Sequence, residues 1–212
     1  MSCCQCQGIE TLFGERTARR DLKRYRDKGP LRTTRMLLDA LRAEGVAGAT
    51  LLDIGGGVGA VSNALLDAGA SRVTVVDASA AYLAVAQGEA ERQGHRARIT
   101  YHHGDFVALA PEIPPADVVT LDRVICCYDE MEALVSASAA RAERLYGVVY
   151  PRDTWWDRLG VSLVNLGFRV SRNPFRVFVH PTRAVEAVLR RHGLARRFHR
   201  TTPIWQVAVF GR

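Results

Sequence analysis

The sequence predicts a doubly wound α/β fold, and three observations carry that expectation. Short β-branched runs alternate with helix-period segments between residues 50 and 150, the pattern of parallel strands covered by helices on both faces. A glycine-rich turn, "LLDIGGGVG" at 51–59, joins the first such run to its helix. Two late runs, 194–200 and 205–210, flank Thr-Thr-Pro and read as a closing antiparallel hairpin.

Taken in order, a charged helix is expected over about 13–27, interrupted by Lys28-Gly29-Pro30, because proline disfavours helix at the residue before it. Leu31 to about Glu44 reads as a helix with Leu37, Leu38 and Leu41 on one face and Gly45 as its stop. The first strand is "TLLDI" (50–54), followed by a helix over 58–68 with Val58, Val61 and Leu65 at helical spacing, ended by Gly69. "RVTVVD" (72–77) and a helix over 79–93 form the next unit, stopped by Gly94. "RITYHH" (98–103) and "DVVTLD" (117–122) are strands three and four, residues 130–144 are helical, and "RLYGVVY" (144–150) is strand five. Residues 152–181 are rich in aromatics and arginine without a clean period. Thr182 is expected to cap a helix with Val185, Val188 and Leu189 inward, stopped by Gly193. The whole is a Rossmann-like, mostly parallel sheet of about seven strands with a C-terminal antiparallel hairpin and an N-terminal helical cap. Residues 1–30 form a Cys-rich tip and that cap, 31–212 the ligand-binding domain, and 152–181 an inserted lid.

Composition agrees with one globular unit. The chain has 212 residues, 48% of them hydrophobic, enough for a sizeable core. No apolar run is long enough to span a bilayer, and MSCCQCQGIE lacks a basic region followed by an apolar stretch, so a cytoplasmic, reducing location is expected, with thiols rather than disulfides. The net charge of +7 is uneven: residues 1–35 carry +5, 36–168 carry −7, and 169–212 carry +9. Such basic flanks suit an anionic substrate, nucleic acid or weak contact with an anionic membrane surface.

The glycine turn sits where open α/β sheets bind ligands, at the carboxyl end of a strand. Gly55, Gly57 and Gly59 let the backbone turn tightly and approach a ligand, with helix N–H groups aimed at it. Gly55, Gly57 and Ala60 also fit the dinucleotide spacing G-x-G-x-x-G/A, whereas no G-K-[ST] follows, which excludes a Walker phosphate loop. Three acids shift the balance. Asp53 places a carboxylate beside the ligand, where a pyrophosphate is repelled and a zwitterionic amino acid with a sulfonium is not. Asp77 ends strand two, 22 residues after Gly55, and can accept ribose hydroxyls. Asp105, in "GDF", can bond an adenine amino group while Phe106 flanks the ring.

Asp53-Ile54-Gly55-Gly56-Gly57-Val58-Gly59, Asp77 with Ala78, and Gly104-Asp105-Phe106 resemble the cofactor motifs of class I S-adenosylmethionine-dependent methyltransferases over residues 31–210. The resemblance implies S-adenosylmethionine as cofactor and methyl transfer as the reaction. A dehydrogenase is the rival for the loop, but a domain of this size lacks room for a separate catalytic half. The acceptor side should follow strand four, "LDRVICCYDE" (121–130), with Asp122, Arg123 and Tyr128 as the candidate catalytic residues. The Asp/Asn-Pro-Pro-aromatic signature of nucleobase amino-methylases is missing there, and neither Cys126 nor Cys127 follows a proline as in cytosine-C5 methylases, so nucleic acid is not the expected substrate.

"FGERTARRDLKRYRD" (13–27), "VVTLDRVICCY" and "HPTRAVEAVLRRHGL" are similar more narrowly to magnesium-protoporphyrin O-methyltransferases, which methylate a propionate carboxylate. Tyr128 matches that family's His-Tyr pair, but Cys127 stands at the histidine and Leu12 at an N-terminal tyrosine, which points to a related small-molecule acceptor. The expected function is O-methylation of a small anionic or aromatic acceptor under a lid. Trp155, Trp156, Phe168, Phe175 and Phe178 there offer flat surface, and Arg169, Arg172 and Arg176 offer positive charge. Two competing expectations remain: methylation of a metalloid or other soft nucleophile assisted by Cys3, Cys4, Cys6, Cys126 and Cys127, and a non-catalytic module contacting a partner or nucleic acid through its basic flanks. The cysteine spacings do not make a zinc ribbon, and no metal is expected. His102 and His103 read as packing or surface residues.

Overall fold

The computed structural model describes Gly8 and residues 12–212; the expectations placed on Cys3, Cys4 and Cys6 lie outside the described residues. Two helices lead in, α1 (Glu15–Lys28) and α2 (Arg32–Ala43), separated at Gly29-Pro30. Then come β1 (Thr50–Ile54), α3 (Ala60–Asp67), β2 (Arg72–Asp77), α4 (Ala80–Arg92), β3 (Ile99–His103), the short α5 (Phe106–Leu109) and β4 (Ala116–Asp122). The chain finishes with α6 (Met131–Ala139), β5 (Ala142–Pro151), α7 (Trp155–Val170), α8 (Thr182–Arg191), β6 (Ala195–Thr201) and β7 (Trp205–Gly211).

The seven strands form one sheet in the order β3-β2-β1-β4-β5-β7-β6. The first five run parallel, and β7 pairs antiparallel with both β5 and β6. Alternate residues of each central strand feed two cores, as pleating requires. Leu52, Ile54, Val119, Leu121, Tyr146 and Val148 join the cluster under α6 and α8. Leu51, Val118, Leu145 and Val149 join the cluster under α2, α3 and α4. The strand order reverses beside β1, between β2 and β4, which opens a crevice at the carboxyl edge. Parallel register brings Ile54 level with Val76 and Leu121, and Asp77 level with His103, so the turns after β1, β2, β3 and β4 share that edge.

Three local expectations are corrected. The helix expected over 130–144 stops at Ala139, because Ala142 pairs with Ala116 and begins β5; sheet pairing overrides the helix preference of an Ala-rich stretch. Residues 155–170, expected to lack a period, are a 16-residue helix whose N-cap Thr154 accepts from the Asp157 amide. Finally, Thr182 is the first residue of α8 rather than its cap; its hydroxyl bonds Asp153 at 3.1 Å and accepts from Gln206 at 2.8 Å. Among the described residues no helix is long and apolar enough to cross a membrane.

Candidate active site

A cavity of about 570 Å³ occupies the carboxyl edge of the sheet, within the size range of small-molecule sites. Asp53, Gly55, Gly57, Asp77, Ala78, Asp105 and Phe106 all line it, and so do Asp122, Arg123 and Tyr128. Gly59 does not: it stands behind the turn as the N-cap of α3 at φ 81°, where a Cβ would lie 3.0 Å from Asn63 Nδ2. It turns the chain into the helix. His102 and His103 are absent from the wall.

The glycine turn adopts left-handed conformations at Gly55 (φ 64°) and Gly57 (φ 56°), which other residues take only with strain. At Gly55 the space is closed, since a Cβ would approach Val124 Cγ2 to 2.4 Å. At Gly57 it is open, the nearest side chain being Tyr82 at 3.8 Å. The turn is therefore clamped at one end and accessible to a ligand at the other.

Beneath the turn lies Asp53, only 1% exposed. One carboxylate oxygen accepts from Ser62 Oγ at 2.7 Å and the other from Thr120 Oγ1 at 2.8 Å. Burial raises its pKa to about 6, against the lowering effect of those two bonds. Asp53 thus ties β1 to α3 and to β4 while contributing to the cavity wall. Asp77 accepts from the Gly57 amide at 3.1 Å and the Ser79 amide at 2.8 Å. Its pKa is also raised by burial. Each oxygen retains a lone pair for a further donor.

Asp105 caps α5 by accepting from the Val107 amide at 3.2 Å. It also receives the Tyr128 hydroxyl, so the turns after β3 and β4 are tied together. Asp122 accepts from Thr34 Oγ1 at 2.5 Å and from Arg123 Nε at 3.1 Å. Arg123 itself holds φ 64°, a strained conformation for an arginine. Its amide bonds Val149 at 2.8 Å and its carbonyl accepts from the Cys126 thiol at 3.4 Å. The Cys126 and Cys127 sulfurs lie 3.8 Å apart in the same wall. Their mutual hydrogen bond and burial push the Cys127 thiol well above its ordinary value. Among the described residues no group of three His, Cys, Asp or Glu side chains could hold a metal ion.

Several contributors carry no motif. Thr34, Ser62 and Thr120 are ordinary core-facing positions of α2, α3 and β4, and only the fold reveals their carboxylate partners. His180 fixes the turn after β4 through Nε2, which donates to the carbonyls of Tyr128 (2.8 Å) and Ile125 (3.1 Å); burial lowers its pKa. Phe175 meets both Phe13 and Phe168 edge-on at 5.6 Å, and all three line the cavity. Of the five aromatics expected to offer surface to an acceptor, Phe168 and Phe175 do line the wall. Trp155 and Trp156 instead face solvent, 70% and 50% exposed, and Phe178 stacks on His180. Arg169 and Arg172 are exposed away from the cavity, while Arg176 bonds the carbonyls of Asn173 and Phe175.

Residues 51–147 match the family described as methyltransferase domain. No curated protein matches the sequence. Among solved structures, the chain is similar to magnesium protoporphyrin IX methyltransferase from Synechocystis, crystallised with bound SAH, at 21% identity and a TM-score of 0.77, covering 98% of this chain and 99% of that one. An O-methyltransferase family protein from Burkholderia thailandensis is similar at 19% identity and a TM-score of 0.73, over 96% of this chain and 62% of that one. An O-methyltransferase family 2 protein from Planctomyces limnophilus, in complex with apigenin, follows at 18% identity and a TM-score of 0.60, over 87% and 62% of the two chains. These likenesses show that the chain has the Rossmann-like methyltransferase fold.

Proposed function

We propose that this chain transfers a methyl group from S-adenosylmethionine to oxygen on a small anionic or aromatic acceptor. The observation that supports the reading most is the meeting of Asp53, Asp77 and Asp105, from three successive strand ends, around one cavity beside an open glycine turn. S-adenosylmethionine, when bound, supplies a methyl group already activated on a sulfonium. The chain's own residues fit that donor: Asp77 keeps lone pairs for ribose hydroxyls, Asp105 and Phe106 suit an adenine ring, and the accessible backbone at Gly57 admits close approach.

What remains for the protein is alignment and exclusion of water. Asp122 and Arg123, held by Thr34 and by the Val149 carbonyl, are assigned to the acceptor side together with Tyr128. In this reading residues 31–212 are the transfer domain, 1–30 a cap, and 152–181 a lid whose Phe168 and Phe175 close over the acceptor. The protein would work as a cytoplasmic enzyme on a metabolite. Titration with S-adenosylhomocysteine and separately with NADH tests the donor; affinity for NADH alone overturns it. Incubation with labelled methyl donor and a small-molecule extract, followed by mass identification of the product, tests the acceptor.

A second reading is favoured by one observation, the 3.8 Å approach of the Cys126 and Cys127 sulfurs in the cavity wall. A thiophilic acceptor such as a trivalent metalloid would bind there. Arsenite stoichiometry near zero on reduced protein ends that alternative.

A further inference from the structure

Seven of the eight large hydrophobic residues that stand exposed among the described residues lie on α7. Trp155, Leu159, Leu163, Leu166 and Val170 recur at intervals of four, four, three and four, so they form one stripe, each between 54% and 78% exposed. Trp156 lies beside it and touches Trp155 edge-on, ring centroids 5.3 Å apart. Sixteen residues of helix carry this stripe over roughly 23 Å. The opposite face is already used. Asp157 is buried against Thr154, Asn165 bonds both the amide and the carbonyl of Val177, and Phe168 packs on Phe175 over the cavity.

A solvated stripe of this size marks a surface made for another phase or partner. The charges around it decide which. The exposed ionic residues on and just after the helix are Arg158, Arg169 and Arg172, and the one acid within it, Asp157, is buried. Beyond the helix, residues 171–212 hold nine arginines against one glutamate. A second copy laid along the stripe would bring one arginine rim against another, a like-charge contact that opposes pairing. A bilayer of anionic lipid satisfies both features: leucines and valine enter the acyl boundary, the tryptophan pair sits at headgroup level, and the arginines meet phosphates.

We propose that α7 is an interfacial helix that docks the protein on anionic membrane surfaces. Because Phe168 on its other face lines the cavity, docking would set the cover of the cavity against the lipid. The inference rests on exposure and charge alone and stands whether or not the methyl-transfer reading holds.

The test uses the full chain and sedimented vesicles of pure phosphatidylcholine or of phosphatidylcholine with phosphatidylglycerol. Binding is expected on the anionic vesicles at least about tenfold above the neutral ones, weakening as salt shortens the screening length. A Leu159→Glu/Leu163→Glu/Leu166→Glu variant should lose that binding while keeping its far-ultraviolet circular dichroism and melting temperature. Arg158→Ala/Arg169→Ala/Arg172→Ala, which leaves the stripe intact, should lose the preference for anionic lipid. The proposal is overturned by equal binding of wild type and the glutamate variant, by no preference for anionic vesicles, or by no vesicle binding at all. A concentration-dependent dimer that the glutamates dissolve, without vesicle binding, would assign the stripe to a second copy instead.

Discussion

The Tyr128 hydroxyl lies 3.1 Å from each carboxylate oxygen of Asp105, so a residue assigned to the acceptor side holds a residue assigned to the donor. The two turns they belong to follow β4 and β3, which are not neighbours in the sheet. Removing the hydroxyl frees Asp105 to swing and loses a charge-assisted bond worth roughly 1.5–3 kcal/mol. Tyr128→Phe is therefore expected to weaken S-adenosylhomocysteine binding about tenfold, with the phenyl ring still filling the wall. Calorimetric titration checks this; unchanged affinity would separate Tyr128 from the donor site.

Asp53 gives the site a pH dependence. Its folded-state pKa of about 6 lies above the ordinary 3.8, chiefly because the group is buried. A carboxyl that holds its proton more tightly when folded favours the folded state at low pH, and that contribution is lost as pH rises from about 4 through 6. Ionisation has the opposite effect on a nearby cationic group of a ligand, which gains a negative neighbour. Binding of S-adenosylhomocysteine, with its ammonium group, should tighten several-fold between pH 5 and 7. In Asp53→Asn this rise should disappear, and the thermal midpoint should no longer fall over the same range. A pH slope that survives the substitution would assign it to another group.

The cap helix is anchored by another buried acid. Glu89 on α4 is fully buried and bonded by Arg92, Gln93 and, across the interface, Arg26 of α1 at 2.8 Å. Burial alone would raise its pKa, but the bonds from Arg92, Gln93 and Arg26 outweigh it and hold the group at about 2. Stability from a depressed carboxyl is complete above its ordinary value of 4.5 and is lost as pH falls toward 2. Glu89→Gln should cost about 2 kcal/mol at neutral pH. Its acid unfolding should be shallower than wild type between pH 4.5 and 2. Proteolytic nicking between α1 and α2 should also quicken, which reports undocking of the cap.

The sheet was legible because buried parallel strands are short β-branched runs, and each glycine stop at 45, 69, 94 and 193 has a positive φ that ends a helix. The clustering of Gly55, Asp77 and Asp105 in one cavity wall was legible from their places at strand ends, where register brings them together. Helix α7 was hard to read because Gly160 and Gly167 lower its helix propensity and Trp156, Val161 and Val164 add apolar residues beside the stripe, blurring its period. The partners of the acids were hidden for a different reason. Thr120 reaches Asp53 and Thr34 reaches Asp122 across 67 and 88 residues of chain, distances at which sequence spacing carries no information.

The glycine turn supplies the sharpest contrast between folding and binding. Gly55 and Gly57 both hold left-handed conformations, so alanine at either costs roughly 1–2 kcal/mol of backbone strain. At Gly55 the new methyl would also collide with Val124 Cγ2 at 2.4 Å, and Val124 begins the turn that carries Cys126, Cys127 and Tyr128. Gly55→Ala should lower the melting temperature markedly, and Val124→Ala in the same chain should recover part of the loss by removing the obstructing methyl. At Gly57 a methyl meets nothing closer than Tyr82 at 3.8 Å, so the fold absorbs it at the cost of conformation alone. That methyl occupies the open side of the turn, where a ligand would approach the backbone. Gly57→Ala should therefore leave melting within a few degrees of wild type while S-adenosylhomocysteine affinity falls more than about tenfold. Melting curves and titrations on the three variants read the two effects separately. Full affinity in Gly57→Ala would mean that the open side of the turn is not where the donor lies.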